Sequence, residues 1–104
     1  MFVEQRTYTF KAGMVPQFMA LYEKEGLAIQ KTILGNMVAY FTSEFGTLNQ
    51  TVHLWQYQSF EDRAARRAAL AANEQWQAFF AKVAPMLISQ ESKILQPASF
   101  SPIK

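Results

Sequence analysis

Apolar and polar residues alternate along residues 2–10 in the manner of a β-strand. Phe2, Glu4, Arg6, Tyr8 and Phe10 share one face, and Val3, Gln5, Thr7 and Thr9 share the other. Lys11-Ala12-Gly13 punctuates the strand, and Pro16 marks the first turn of a helix. Phe18, Leu21, Tyr22, Glu25 and Ile29 follow at helical spacing, as a stripe that faces the core, and the helix should end before Gly35. Gly26 interrupts it, at a cost of about 1 kcal/mol relative to alanine. Alternation returns over residues 37–45, with Met37, Ala39, Phe41, Ser43 and Phe45 on one face and Val38, Tyr40, Thr42 and Glu44 on the other. After a short connection, Gly46-Thr47-Leu48, the stretch that runs to Tyr57 forms a third strand. So short a link makes these two strands an antiparallel hairpin.

The third strand places His53, Trp55 and Tyr57 on one face. It holds the only histidine of the chain, and two large aromatics beside it imply an enclosed face. Ser59, with Asp62 three residues on, reads as a helix cap. The alanine-rich stretch behind it is helical. Asn73 caps a shorter helix whose apolar stripe is Trp76, Phe79, Phe80 and Val83. The last strand is predicted over residues 89–96 and ends at Pro97. The tail, 98–104, has no periodicity, but Phe100 and Ile103 could dock it on a neighbouring subunit.

The order β-α-β-β-α-(α)-β is met by an α+β, ferredoxin-like fold. In it a four-stranded antiparallel sheet carries helices on one face, with strands one and three central. Strands two and three are apolar on both faces. One face packs under the helices and the other is left bare in a monomer. A bare apolar face of this kind marks an interface. The expectation is a homodimer whose sheets pack face to face, as in a dimeric α/β barrel.

Composition narrows the picture. With 104 residues, half of them hydrophobic, the chain is one domain, 1–104. A net charge of +2 is too mild to imply nucleic acid. The one basic cluster, Arg63, Arg66 and Arg67, reads as solvated or ion-paired helix residues. Cysteine is absent, which removes disulfides, thiolate nucleophiles and thiolate-bound zinc, and fits a cytoplasmic protein. Residues 1–6 lack the basic segment and apolar run of a signal peptide, so none is expected, and no apolar run is long enough to span a bilayer.

Candidate chemistry centres on His53, whose ordinary pKa suits acid or base catalysis at neutral pH. Trp55, Tyr57 and Tyr8 offer stacking surfaces to a small, partly apolar ligand. Arg6 offers a carboxylate clamp, and Glu44 lies on a wall that could be near. The bland alternative is a structural histidine, hydrogen-bonded to Glu4, Glu44 or a tyrosine. Asn49 and Gln50 suit turn and edge backbone groups, and remain ligand-binding candidates of second rank. No metal-ligand spacing exists and no cofactor is expected, although one histidine is enough to ligate a haem iron. Trp76, Phe79 and Phe80 read as core.

Tyr8-Thr9-Phe10-Lys11-Ala12-Gly13, Gly46-Thr47-Leu48-Asn49-Gln50, His53-Leu54-Trp55-Gln56-Tyr57, Arg63-Ala64-Ala65-Arg66-Arg67, Trp76 and the closing Phe100-Ser101-Pro102 together resemble the NIPSNAP family, within the dimeric α/β-barrel superfamily. The Asn-Gln pair before a His-Leu-Trp strand is the most specific part. The resemblance implies the ferredoxin-like fold and its barrel-like dimer. About chemistry it implies much less, because branches of that superfamily include cofactor-free oxygenases, haem-handling enzymes, isomerases and decarboxylases. Two functions follow as expectations. One is a homodimer that binds a small molecule in a sheet–helix cleft, with or without cofactor-free catalysis. The other is a non-catalytic interaction or structural dimer.

Overall fold

Four strands form one antiparallel sheet in the order β2-β3-β1-β4. The structure is a computed structural model that describes residues 1–104. Strand β1 spans Phe2–Phe10, β2 Asn36–Thr42, β3 Gln50–Tyr57 and β4 Leu87–Leu95. Between β1 and β2 lie helix α1, Val15–Leu21, one π-turn, Tyr22–Gly26, and helix α2, Leu27–Leu34. Between β3 and β4 lie α3, Phe60–Ala72, and α4, Glu74–Val83, with a short 3-10 turn at Ala84–Met86. This is the expected α+β ferredoxin-like arrangement, with β1 and β3 in the centre.

Local chemistry explains most boundaries. A proline opens α1, where a missing N–H costs nothing. The Ser59 side chain accepts from the Asp62 N–H and caps α3, while the Asn73 side chain accepts from the Trp76 N–H and caps α4. Asn49 adopts φ 62° at the end of the β2–β3 loop, a left-handed conformation that asparagine tolerates.

Three departures from the simple periodicity matter. Strand β2 ends at Thr42, so Glu44 lies in an exposed loop and not on a strand wall. A bulge between Met37 and Ala39 then shifts the strand phase. Met37 and Tyr40 oppose Trp55 and His53 on the inner, helix-covered face, whereas Phe41 opposes Val52 on the outer one. Met37 and Phe41 therefore do not share a face. In the first helical segment the π-turn inserts a residue, and Gln30 is buried where the uninterrupted stripe called for Ile29. The Tyr22 hydroxyl donates to Gln30 Oε1 at 2.5 Å. Gly26 belongs to this device, because a Cβ there would lie 3.0 Å from ring carbons of both Phe79 and Tyr22.

The inner face carries His53, Trp55 and Tyr57. Strand β3 shows the alternation directly, with Thr51, His53, Trp55 and Tyr57 buried and the residues between them half-buried. Two apolar clusters sit under the helices. Tyr8, Phe10, Phe18, Tyr22, Phe79, Val83 and Met86 form one; Phe2, Leu34, Trp55, Tyr57 and Leu70 form the other.

Candidate functional site

A cleft of about 430 Å³ opens between the β1–β4 side of the sheet and helices α3 and α4. Arg6 and Tyr8 reach it from β1, Gln90 from β4, Arg67 and Ala71 from α3, and Trp76, Gln77, Phe80 and Ala81 from α4. Its size lies within the usual range of small-molecule sites, about 300–1,000 Å³.

One buried carboxylate organises the charged wall. Glu4 is wholly buried on the inner face. Arg63 grips it through two bonds, Nε to Oε1 at 3.0 Å and Nη2 to Oε2 at 2.8 Å. Arg6 Nη1 and the Ser92 hydroxyl also donate to Oε2. Burial by itself would raise the Glu4 pKa. The bonds from Arg63 and Ser92 and the charges of Arg6 and Arg63 outweigh it and bring the pKa down to about 2. Glu4 is thus a fixed anion that orients two arginines.

The third arginine is not balanced. Arg66 pairs with Asp62 at 2.8 Å and donates to the Ile33 carbonyl, but Arg67 makes no ion pair. Arg67 Nη1 and Arg6 Nε are both buried without a hydrogen-bond acceptor. The reading of Arg63, Arg66 and Arg67 as solvated or ion-paired helix residues holds for Arg63, paired with Glu4, and for Arg66, paired with Asp62, and is corrected for Arg67. Spacing carried the signal: Arg63, Arg67 and the buried Leu70 stand at i, i+4 and i+7 on one helix face.

His53 lies behind the cleft and does not line it. Its ring is 1 % exposed, stacked on Tyr40 at 4.6 Å and edge-on to Tyr8 at 4.8 Å. Trp55 Nε1 donates to its Nδ1 at 2.7 Å, so the neutral ring carries its proton on Nε2, which has no acceptor. Burial first, then the charges of Arg6 and Arg67, push its pKa down to about 3, against the opposing charge of Glu4. It is a neutral imidazole at physiological pH, not the poised acid or base that its ordinary pKa suggests. Rings on both sides leave no room for a macrocycle beside it, so these residues do not fit haem.

Of the other residues singled out, Arg6 and Tyr8 meet at the cleft, with the Arg6 guanidinium carbon 5.7 Å from the Tyr8 ring centre. Trp55 and Tyr57 are buried beneath, on the same face; burial raises the Tyr57 pKa against the opposing charge of Arg67, which lies beside its hydroxyl without forming a well-aligned hydrogen bond. Asn49 and Gln50 line a separate depression near Pro16, and the Gln50 amide donates to Thr9 Oγ1 at 3.0 Å. Glu44 stands apart in its loop. The histidine's expected acid partners are accordingly replaced: Glu44 is elsewhere and Glu4 is held by arginines. Trp76 and Phe80, read as core, are half-buried cleft walls as well as core neighbours.

A family model, NIPSNAP, matches residues 3–102. The chain belongs to the NIPSNAP family. Among curated NIPSNAP proteins it is 44 % identical over 94 residues to the NipSnap homologue of Dictyostelium discoideum, covering 90 % of this chain and 41 % of that one. The chain thus spans about two fifths of that relative's length. A solved structure from Agrobacterium tumefaciens superposes with a TM-score of 0.98 at 45 % identity, each chain covered in full. A Nitrosomonas europaea protein described as a putative antibiotic biosynthesis monooxygenase shares the fold at 13 % identity, with a TM-score of 0.67 over 93 % of this chain and 98 % of that one. At that identity it speaks to the fold alone. No helix of this NIPSNAP chain is long and apolar enough to cross a membrane.

Proposed function

We propose that this NIPSNAP chain is a cytoplasmic homodimer that binds a small, partly apolar molecule in the cleft between β1–β4 and α3–α4. The observation that carries the reading is the cleft itself, about 430 Å³, walled by Tyr8, Trp76 and Phe80 and edged by Arg6, Gln77 and Gln90. Aromatic walls with a few convergent polar groups are the usual make-up of a ligand site. In this reading His53 is a positioning residue. Its ring backs Tyr8 and its charge state is held neutral, so any cofactor-free chemistry runs through groups at the cleft wall.

The test is a thermal-shift and calorimetric screen of aromatic fragments on the wild-type chain and on Ala81→Phe, which fills the cleft. Binding to wild type that is lost in Ala81→Phe supports the reading. Fragments that bind both equally, or neither, overturn it.

The outer sheet face supports the dimer. Val52 and Leu54 are half-buried there, and Phe41 and Leu95 are 56 % and 38 % exposed. Two such faces packed together would remove this apolar surface from water. Sedimentation at micromolar concentration should give twice the chain mass, and Leu54→Asp should halve it. A wild-type monomer would overturn the dimer.

A further inference from the structure

The inner wall of the cleft holds more positive than negative charge. Arg6 and Arg67 line it, no carboxylate does, and Glu4 with Arg63 lies behind. Glu4 is already committed, accepting from Arg6, Arg63 and Ser92. Arg67 therefore has no counter-ion, although its Nη1 is withdrawn from water and it lines the cleft. Arg6 Nε, on β1, is also buried without an acceptor, although Arg6 Nη1 is paired with Glu4. Arg67 is half-buried, so part of its hydration is lost, and no carboxylate balances its charge. An anionic group in the cleft would supply the counter-ion that Arg67 lacks.

We propose that the cleft ligand carries a carboxylate, received by Arg67 and Arg6, with its apolar body against Trp76 and Phe80. This rests on the cleft-binding reading above and adds the charge of the ligand to it. A planar carboxylate offers two oxygens to two guanidinium donors, which is the geometry arginine recognises best. Gln77 and Gln90, also on the wall, contribute neutral donors at the rim. Glu4 holds Arg6 in place, and Arg63 and Ser92 take up the rest of its two oxygens, which leaves Arg67 no share of that carboxylate. Arg67 is the residue whose charge awaits the ligand.

Calorimetry with matched acid and amide pairs tests this: benzoate and benzamide, phenylacetate and phenylacetamide, indole-3-acetate and indole-3-acetamide. Each pair differs in charge and hardly in shape. In at least one pair the acid should bind at least about tenfold more tightly than its amide, since charge-assisted bonds are the strong ones. Added salt should weaken the acid and leave the amide unchanged. Arg67→Gln should erase the difference, and Arg67→Lys should retain part of it. The wild-type comparison needs no variant, so a folding defect in Arg67→Gln leaves the test intact. His53 supplies a second readout. Arg6 and Arg67 help to hold its pKa down, so bound acid, unlike bound amide, should raise it in an NMR titration. If amides bind as well as their acids in every pair, the carboxylate assignment is overturned and the cleft reading stands. If no member of any pair binds, both fall together.

Discussion

The two faces of the sheet depart from the usual distribution of polarity in opposite ways. The outer face sets Val52, Leu54 and Leu95 among Gln5, Thr7, Gln56 and Lys93, while the inner face, packed under four helices, sets Glu4, Arg6 and His53 among Phe2, Tyr8, Phe10, Trp55 and Tyr57. Ordinarily the covered side is apolar and the open side polar. Here the covered side is wet at one edge, where α3 and α4 leave the β1–β4 side open as a cleft. Toward β2 the same side closes into the aromatic packing of Tyr22, Tyr40 and Phe79. The buried polar groups gather on the covered face, and the exposed apolar ones, Phe41 and Leu95, stand on the open face.

The sharpest way to break that contrast is Glu4→Gln. It leaves Arg6 and Arg63 without their shared anion on the inner face, and should cost about 3 kcal/mol in urea unfolding. A loss under about 1 kcal/mol would mean that the inner charges are solvated after all.

Acid comes next. The pKa of His53 is depressed to about 3 from an ordinary 6.5, and that of Glu4 to about 2 from 4.5. In each case the unfolded chain takes up protons that the folded one refuses. Stability is complete above the unfolded values and falls with falling pH, through His53 below 6.5 and additionally through Glu4 below 4.5. The His53 share has a slope of up to about 1.4 kcal/mol per pH unit. Unfolding of His53→Gln across pH 6.5 to 5 should be flatter than wild type. Equal slopes would show an imidazole in contact with water.

Smaller effects probe the closed part of the inner layer. Tyr22→Phe strips Gln30 of its buried donor and should cost about 1.5 kcal/mol in the same assay. Gly26→Ala ought to help a helix, yet its methyl meets two buried rings, and a net loss of about 1 kcal/mol is expected. A gain in melting temperature would show that the rings can give way. On the outer side, Lys93→Gln, at an exposed β4 position paired with Gln5, should change the stability of the folded subunit by less than about 0.5 kcal/mol.

Much of the fold was legible in the order of residues. Alternation in β1 and β3, Pro16 before α1, and the caps at Ser59 and Asn73 are all short-range features. The misplacements have equally specific causes. One inserted residue in β2 turned Met37 and Phe41 to opposite faces, and one extra residue in the π-turn traded Ile29 for Gln30. The candidate site was legible only in part. Arg6 and Tyr8 reach the cleft, but Arg67, Gln77 and Gln90 come from elements whose approach no local pattern encodes. His53 drew attention as the only histidine, though Glu4 is the residue around which the charges are arranged.

By itself the sequence determined the element order, the strand faces of β1 and β3 and the family, because these depend on residues within a few positions of one another or on the whole string at once. Only the tertiary structure decided which face the helices cover and which arginine is left unpaired. Glu4 meets Arg63 across 59 residues and Ser92 across 88. Whether a charge is balanced depends on what folding brings beside it, and burial sets how much the imbalance matters.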